Sequence, residues 1–264
     1  MKISILVENN AVEPLKAEHG LSMLIEYRSQ KLIFDFGKSS LYLENAKKMN
    51  IDLTDVKYAF LSHGHNDHTG GLEFFKNTVF CCSNTAVKRF SHHAGKPVKD
   101  LSMPIESYKN LQNSKVCFTD DFKEILPGIF STGKIPRISD EDTGGPFYLD
   151  LEKKIPDCIE DESALLFDNG VLIHGCCHSG IINTLEHCRK CRPDIKINTI
   201  IGGLHLLNAS EKRLKQTASY LNQYNIINLY LMHCTGINGI DFLKNNLNNC
   251  NVYTLKTGDT VFFE

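Results

Sequence analysis

Short apolar runs alternate with turn signals and amphipathic stretches along the whole chain. Runs rich in Val, Ile, Leu and Phe, bounded by turn-forming residues, predict strands at 2–7, 22–27, 31–36, 57–62, 78–82, 116–119 and 129–132. Further strands are predicted at 164–167, 171–174, 199–201, 228–232, 252–255 and 260–263. Helices are predicted at 41–49, 70–76, 85–90, 181–188, 210–224 and 240–245. Ser210 ahead of Glu211-Lys212-Arg213 offers a capped helix start. The first half opens with hairpin-like β structure, and the second half alternates strand and helix. That order predicts an α/β fold with two sheets covered by helices, a four-layer αββα sandwich. The chain, residues 1–264, is read as a single domain. Its segment from about 91 to 161 is less regular and carries six prolines and the Gly144-Gly145 pair. We read it as an insertion or lid over the site.

Composition narrows the function classes. With 264 residues and a formal net charge of −2, the chain can bury a sizeable core and has no polyanion-binding character. No nucleic-acid or membrane partner is expected. No apolar run approaches the roughly 20 residues needed to span a bilayer, and the N-terminal run is too short for a signal peptide. The ten cysteines read as reduced thiols of a cytoplasmic protein rather than a disulfide framework. The pair Cys188-Arg189-Lys190-Cys191 lies near a helix end, not at a helix start where a dipole activates a thiol, and reads as surface helix.

The densest chemistry is His63-Gly64-His65-Asn66-Asp67-His68, just after the apolar run Tyr58–Ser62. On a tight strand-to-loop turn, His63 and His65 can meet one ion, and Asp67 and His68 a second. Imidazole and carboxylate suit zinc and similar first-row ions. The competing reading is a His-rich solvent loop. Against it, His178, His205 and His233 each follow a predicted strand, and the carboxyl ends of strands are where α/β folds build sites. Six of the eleven histidines are therefore expected to converge on a dinuclear metal site. Asp35, at another strand end, is placed to accept a ligand imidazole N–H and fix its tautomer. His92-His93 reads as a solvated loop and His174 as core.

His63-x-His65-x-Asp67-His68 with Thr69-Gly70-Gly71, and His178 and His233 later, resembles the metallo-β-lactamase superfamily from Asp35 to His233. Finer motifs lie at Asp161–Leu165, Gly175–Ile181, Gly202–Leu206 and His233–Gly236. They are similar to the branch named for 7,8-dihydropterin-6-yl-methyl-4-(β-D-ribofuranosyl)aminobenzene-5′-phosphate synthase, a methanopterin-pathway transferase. The resemblance implies metal ligands at His63, His65, Asp67, His68, His178, His205 and His233, with Asp67 also catalytic. It implies one or two ions, zinc foremost, with manganese or iron as alternatives. One departure stands out: where the superfamily supplies a bridging Asp, this chain offers Gly202-Gly203-Leu204-His205. His205 is the expected stand-in.

Two cations about 3.5–4 Å apart stabilise an attacking and a leaving oxygen together. The expected function is a metal-dependent hydrolase acting on a small phosphorylated or ester metabolite through a metal-activated hydroxide. The alternatives are a pterin transferase and a non-catalytic, metal-bearing sensor. Thr235 and Gly236, opening the last helix, and the basic Lys134 and Arg137 are expected to bind substrate phosphate.

Overall fold

The computed structural model describes residues 1–143 and 145–263, so Gly144 of the Gly144-Gly145 pair lies outside the described residues. The chain divides into two compact units. The first is Met1–Asp120 with Gly144–Asp161 and Lys256–Glu264; the second is Asp121–Thr143 with Glu162–Leu255.

The first unit is built on a seven-stranded sheet in the order Thr260–Phe262, Lys2–Val7, Ser22–Tyr27, Gln30–Phe34, Tyr58–Phe60, Thr78–Cys81, Val116–Phe118. Pairing is antiparallel up to Gln30–Phe34 and parallel beyond it. A two-residue turn joins Tyr27 to Gln30, and the first parallel crossover carries the helix Leu41–Lys48. That helix lays Tyr42 and Ala46 on Leu6, Leu24, Ile33 and Ala59, closing the core on this face.

The second unit repeats the plan. Its seven-stranded sheet runs Asn251–Thr254, Asn228–Leu231, Thr199–Gly202, Val171–Ile173, Leu165–Phe167, Ile129–Ser131, Lys123–Leu126. The first four strands are parallel and the rest antiparallel. The helices Ile181–Cys191, Glu211–Tyr224 and Gly236–Asn246 bury Leu185, Leu221 and Leu243 against Ile200, Leu229 and Leu231. Ile173 pairs with Ile201, and Gly202 with Leu231. The parallel strands therefore end side by side, and the residues after them share one edge.

Most predicted elements occur within a residue or two of the expected bounds. Ser210 caps its helix, its hydroxyl accepting from Arg213 N. Three expectations need correction. No helix forms at 85–90, because Thr85 and Arg89 are drawn onto the buried carboxylate of Asp161 and the chain turns to reach it. The expected helix at 70–76 is a short α-turn, Asn66–Thr69, running into the 3-10 segment Gly70–Phe74. The 91–161 segment is more regular than its prolines imply. It holds the helix Ile105–Asn113, strands that join the main sheets, and Phe147–Tyr148, which pairs with Phe90–Ser91. The Ile105–Asn113 helix has no continuous apolar stripe; it buries only Ser107 and Leu111, and Ser107 donates to Gly70 O.

Candidate metal sites

In the first unit the Tyr58–Phe60 strand stops just short of His63, and the short helix Asn66–Thr69 turns Asp67 and His68 back beside it. His63, His65 and His68 are buried, with the His63 ring centroid 4.6 Å from that of His65 and 4.3 Å from that of His68. Two carboxylates hold this turn. Asp35, in the left-handed region at φ +55°, ends the neighbouring strand and is fully buried. It accepts Ser62 N at 2.8 Å, Ser62 Oγ at 2.6 Å and His68 Nδ1 at 2.7 Å. Because the Ser62 hydroxyl donates to Asp35, it accepts from His63 Nδ1 at 2.9 Å. Both rings are thereby held in the tautomer that turns the Nε2 lone pair outward.

The second carboxylate is Asp161, which sequence reasoning assigned no role. It accepts Gly64 N at 2.7 Å, Thr85 Oγ1 at 3.1 Å and Arg89 Nη2 at 2.9 Å. Arg89 is 1% exposed, and its Nε lies 3.4 Å from Asp157. A Cβ at Gly64 would meet Thr85 O at 1.7 Å, so only glycine lets the turn seat between these groups. Asp67 faces His19, Oδ2 to Nε2 at 3.2 Å, and this hydrogen bond raises the His19 pKa. His19 lies far upstream and no local signal marks it.

The donors fit a metal. His63 Nε2 and His65 Nδ1 are 2.9 Å apart, close to the roughly 3 Å between two ligands on one ion with bonds of about 2.0–2.1 Å. Burial, then the neighbouring His68 and His65, push the His63 pKa well below its ordinary value. The ring therefore stays neutral, the form that binds metal.

In the second unit three strand ends supply the donors. His178 follows the Val171–Ile173 strand, with His205 and His233 at the ends of the next two. His205 and His233 are left-handed, at φ +48° and +53°, conformations uncommon for non-glycine residues and concentrated at functional sites. The His205 ring lies 4.3 Å from that of His178. Two sets of donor atoms lie within 4.8 Å of one another: Cys176, His178 and His205, and Cys176, His233 and Cys234. The cysteines were not predicted; Cys234 adjoins His233 and Cys176 lies two residues before His178, the one signal that could have pointed to them.

The second unit clamps its donors by the backbone. Glu162, buried, accepts from His178 N and Ser179 N, while Arg137 Nη1 donates to His178 O at 2.7 Å and to Thr143 Oγ1. Arg213 Nη1 donates to His205 O at 3.0 Å, and Leu204 N to Thr235 Oγ1 at 2.9 Å. Of the residues expected to meet substrate, Arg137 and Thr235 thus also brace donor segments. Gly236, at φ +67°, opens the last helix, and Lys134 is half-buried. His174 is buried, and burial pushes its pKa down to about 4. Cys188 is buried in the core rather than on the helix surface, and His92 is buried with its ring against Tyr148. None of the ten cysteines is in a disulfide, and no described helix is long and apolar enough to cross a membrane.

Residues 15–180 match the family model of the metallo-beta-lactamase superfamily. An uncharacterized protein of Methanocaldococcus jannaschii is 30% identical over 250 residues, 94% of this chain and 95% of that protein. A second protein of that organism, 7,8-dihydropterin-6-methyl-4-(beta-D-ribofuranosyl)-aminobenzene-5'-phosphate synthase, is 30% identical over 89% of this chain and 88% of its own length. The crystal structure of a metal-dependent hydrolase of the beta-lactamase superfamily aligns with a TM-score of 0.88 at 26% identity, covering 100% of this chain and 99% of that one. A diphosphatase from the PhnP family, at 10% identity and TM-score 0.56 over 100% of this chain and 98% of its own, shares the fold. The chain belongs to the metallo-β-lactamase superfamily and has its α/β sandwich fold, the fold class expected from the sequence.

Proposed function

We propose that this protein is a metal-dependent hydrolase of a small phosphorylated or ester metabolite. The observation that carries the reading is the first-unit turn, where three buried imidazoles and Asp67 stand together, with the tautomer of His68 set by Asp35 and that of His63 by Asp35 through Ser62. His63, His65, Asp67 and His68 in that unit, and His178, His205 and His233 in the second, are the proposed ligands, for one or two ions. Zinc suits these donors best, with manganese or iron as alternatives. Ions held there supply Lewis acidity and bring the ionisation of water near neutral pH. The chain's own part is to orient. Asp35 keeps the His68 ring aimed, Asp161 holds the Gly64 amide, and Asp67, hydrogen-bonded by His19, is placed to take a proton from the attacking water. Lys134, Arg137 and the N–H of Gly236 are proposed to meet the anionic part of the substrate; Thr235, expected to join them, instead donates its N–H to Met232 O at 3.1 Å and braces Leu204 N.

A second reading is a transferase that expels diphosphate from a dihydropterin-methyl diphosphate. It is favoured by the 30% identity to the synthase. One assay separates the two. Zinc-loaded protein is incubated with a panel of phosphoesters, thioesters and lactones, and separately with dihydropterin-methyl diphosphate plus an arylamine. Hydrolysis in the panel without arylamine coupling is the expected result. Coupling without hydrolysis would replace the first reading by the second. Protein that binds no metal and turns over neither substrate set would end both.

A further inference from the structure

We propose that Cys176 is a metal ligand of the second unit and that its thiolate is the anionic donor shared by two ions. This rests on the metal-dependent reading above and deepens it, naming a donor outside the expected histidine and carboxylate set. Cys176 belongs to both donor sets of the unit, with His178 and His205 in one and with His233 and Cys234 in the other. Among the described residues of this unit it alone is common to both sets.

The backbone around Cys176 is fixed for the task. The carbonyl of Gly175 accepts Gly203 N at 2.9 Å, and that of Cys176 accepts the Cys234 thiol at 3.4 Å. Both flanks are thus tied to the neighbouring strand ends, and Cys176 is only 4% exposed. Charge points the same way. The histidines of the two sets are neutral donors, and a divalent ion in a buried place needs an anion beside it. The nearby buried carboxylates are already engaged: Glu162 on His178 N and Ser179 N, Glu141 on Ile182 N and 3.8 Å from Arg213. A cysteine sulfur common to both sets supplies that anion where the strand end Gly202-Gly203-Leu204-His205 supplies no carboxylate. With metal–sulfur bonds of about 2.3 Å, one sulfur can serve two ions about 3.5–4 Å apart. The thiol gives its one proton to buffer as the first S–metal bond forms, and a remaining lone pair of the thiolate makes the second, so binding at this sulfur releases one proton. A thiolate donor also narrows the metal to zinc, iron(II) or cobalt over manganese, magnesium or calcium.

Cobalt(II) tests this without any substrate. Wild-type protein loaded with cobalt should show a sulfur-to-cobalt charge-transfer band in the near ultraviolet. Cys176→Ser and Cys176→Asp should lose the greater part of the band, because that sulfur serves both ions, and Cys234→Ser, a donor in one set alone, should lose the smaller part. By metal analysis, Cys176→Ala should bind one equivalent less than wild type, and Cys176→Asp should restore that equivalent through its carboxylate. Thermal unfolding of each variant checks that it is folded, and the wild-type band stands whatever the variants do. Bound cobalt with no band in wild type, or a band undiminished in folded Cys176→Ser, overturns this proposal alone. A band lost from Cys176→Ala with no loss of an equivalent overturns the sharing of the sulfur. A wild type that binds no cobalt or zinc overturns the metal-dependent reading with it.

Discussion

The two units solve one problem by opposite routes. Each builds a seven-stranded mixed sheet and sets its donors beyond the carboxyl ends of the parallel strands. The first unit takes its donors from one run, His63 to His68, and includes a carboxylate. The second takes them from three separate strand ends and pairs imidazole with thiol. Carboxylates are buried in both, but in the second they bind backbone N–H groups rather than join the donor sets. A continuous donor run is aimed by local conformation and by the groups that seat the turn. A discontinuous one is aimed by strand register, so its precision lies in the ladder between Ile173, Ile201 and Tyr230.

The sharpest way to break the first unit is at its buried anchor. Asp161→Ala strands the Arg89 guanidinium and the Gly64 amide without their acceptor. Removing one partner of a buried ion pair costs about 3–5 kcal/mol, read by denaturant unfolding, and the variant should also retain less metal. A wild-type unfolding midpoint would show that the turn does not depend on this anchor. Asp67→Ala should lower turnover by about 10²-fold or more while stability changes little, because Asp67 sits at the edge of the turn rather than beneath it. Kinetics and thermal unfolding on one preparation check the split, and near-wild-type turnover would remove Asp67 from the chemistry.

The second unit should respond more gently. Glu162→Gln weakens two charged hydrogen bonds to the His178 segment, each worth about 1.5–3 kcal/mol, and should loosen metal in this unit before the first. Metal titration of the variant beside Asp161→Asn compares the two clamps directly. If both lose the same ion first, the division of labour drawn above is wrong. The smallest effect is expected for Thr235→Val, which removes the hydroxyl that accepts Leu204 N, a loss of about 1 kcal/mol. Unfolding at equilibrium measures it, and a drop several times larger would mean that Thr235 carries more than this bond.

What could be read along the chain followed the same division. Most strands and helices were legible because their apolar spacing is a local signal, and so was the His63–His68 run, whose donors are adjacent. The failures were tertiary. At 85–90 a helical pattern yields to the pull of a carboxylate seventy-two residues from Arg89. The Ile105–Asn113 helix shows little apolar face because its packing rests partly on a serine hydroxyl. The sequence by itself determined that six histidines, His63, His65, His68, His178, His205 and His233, follow the ends of strands. Only the tertiary structure decided that His19 meets Asp67, that Asp161 and Arg89 seat the first turn, and that Cys176 and Cys234 lie among the histidines of the second unit. The reason is distance along the chain: a hydrogen bond or a donor set acts over about 3–5 Å in space, and nothing in the local pattern records which remote residue the folded backbone brings within that reach.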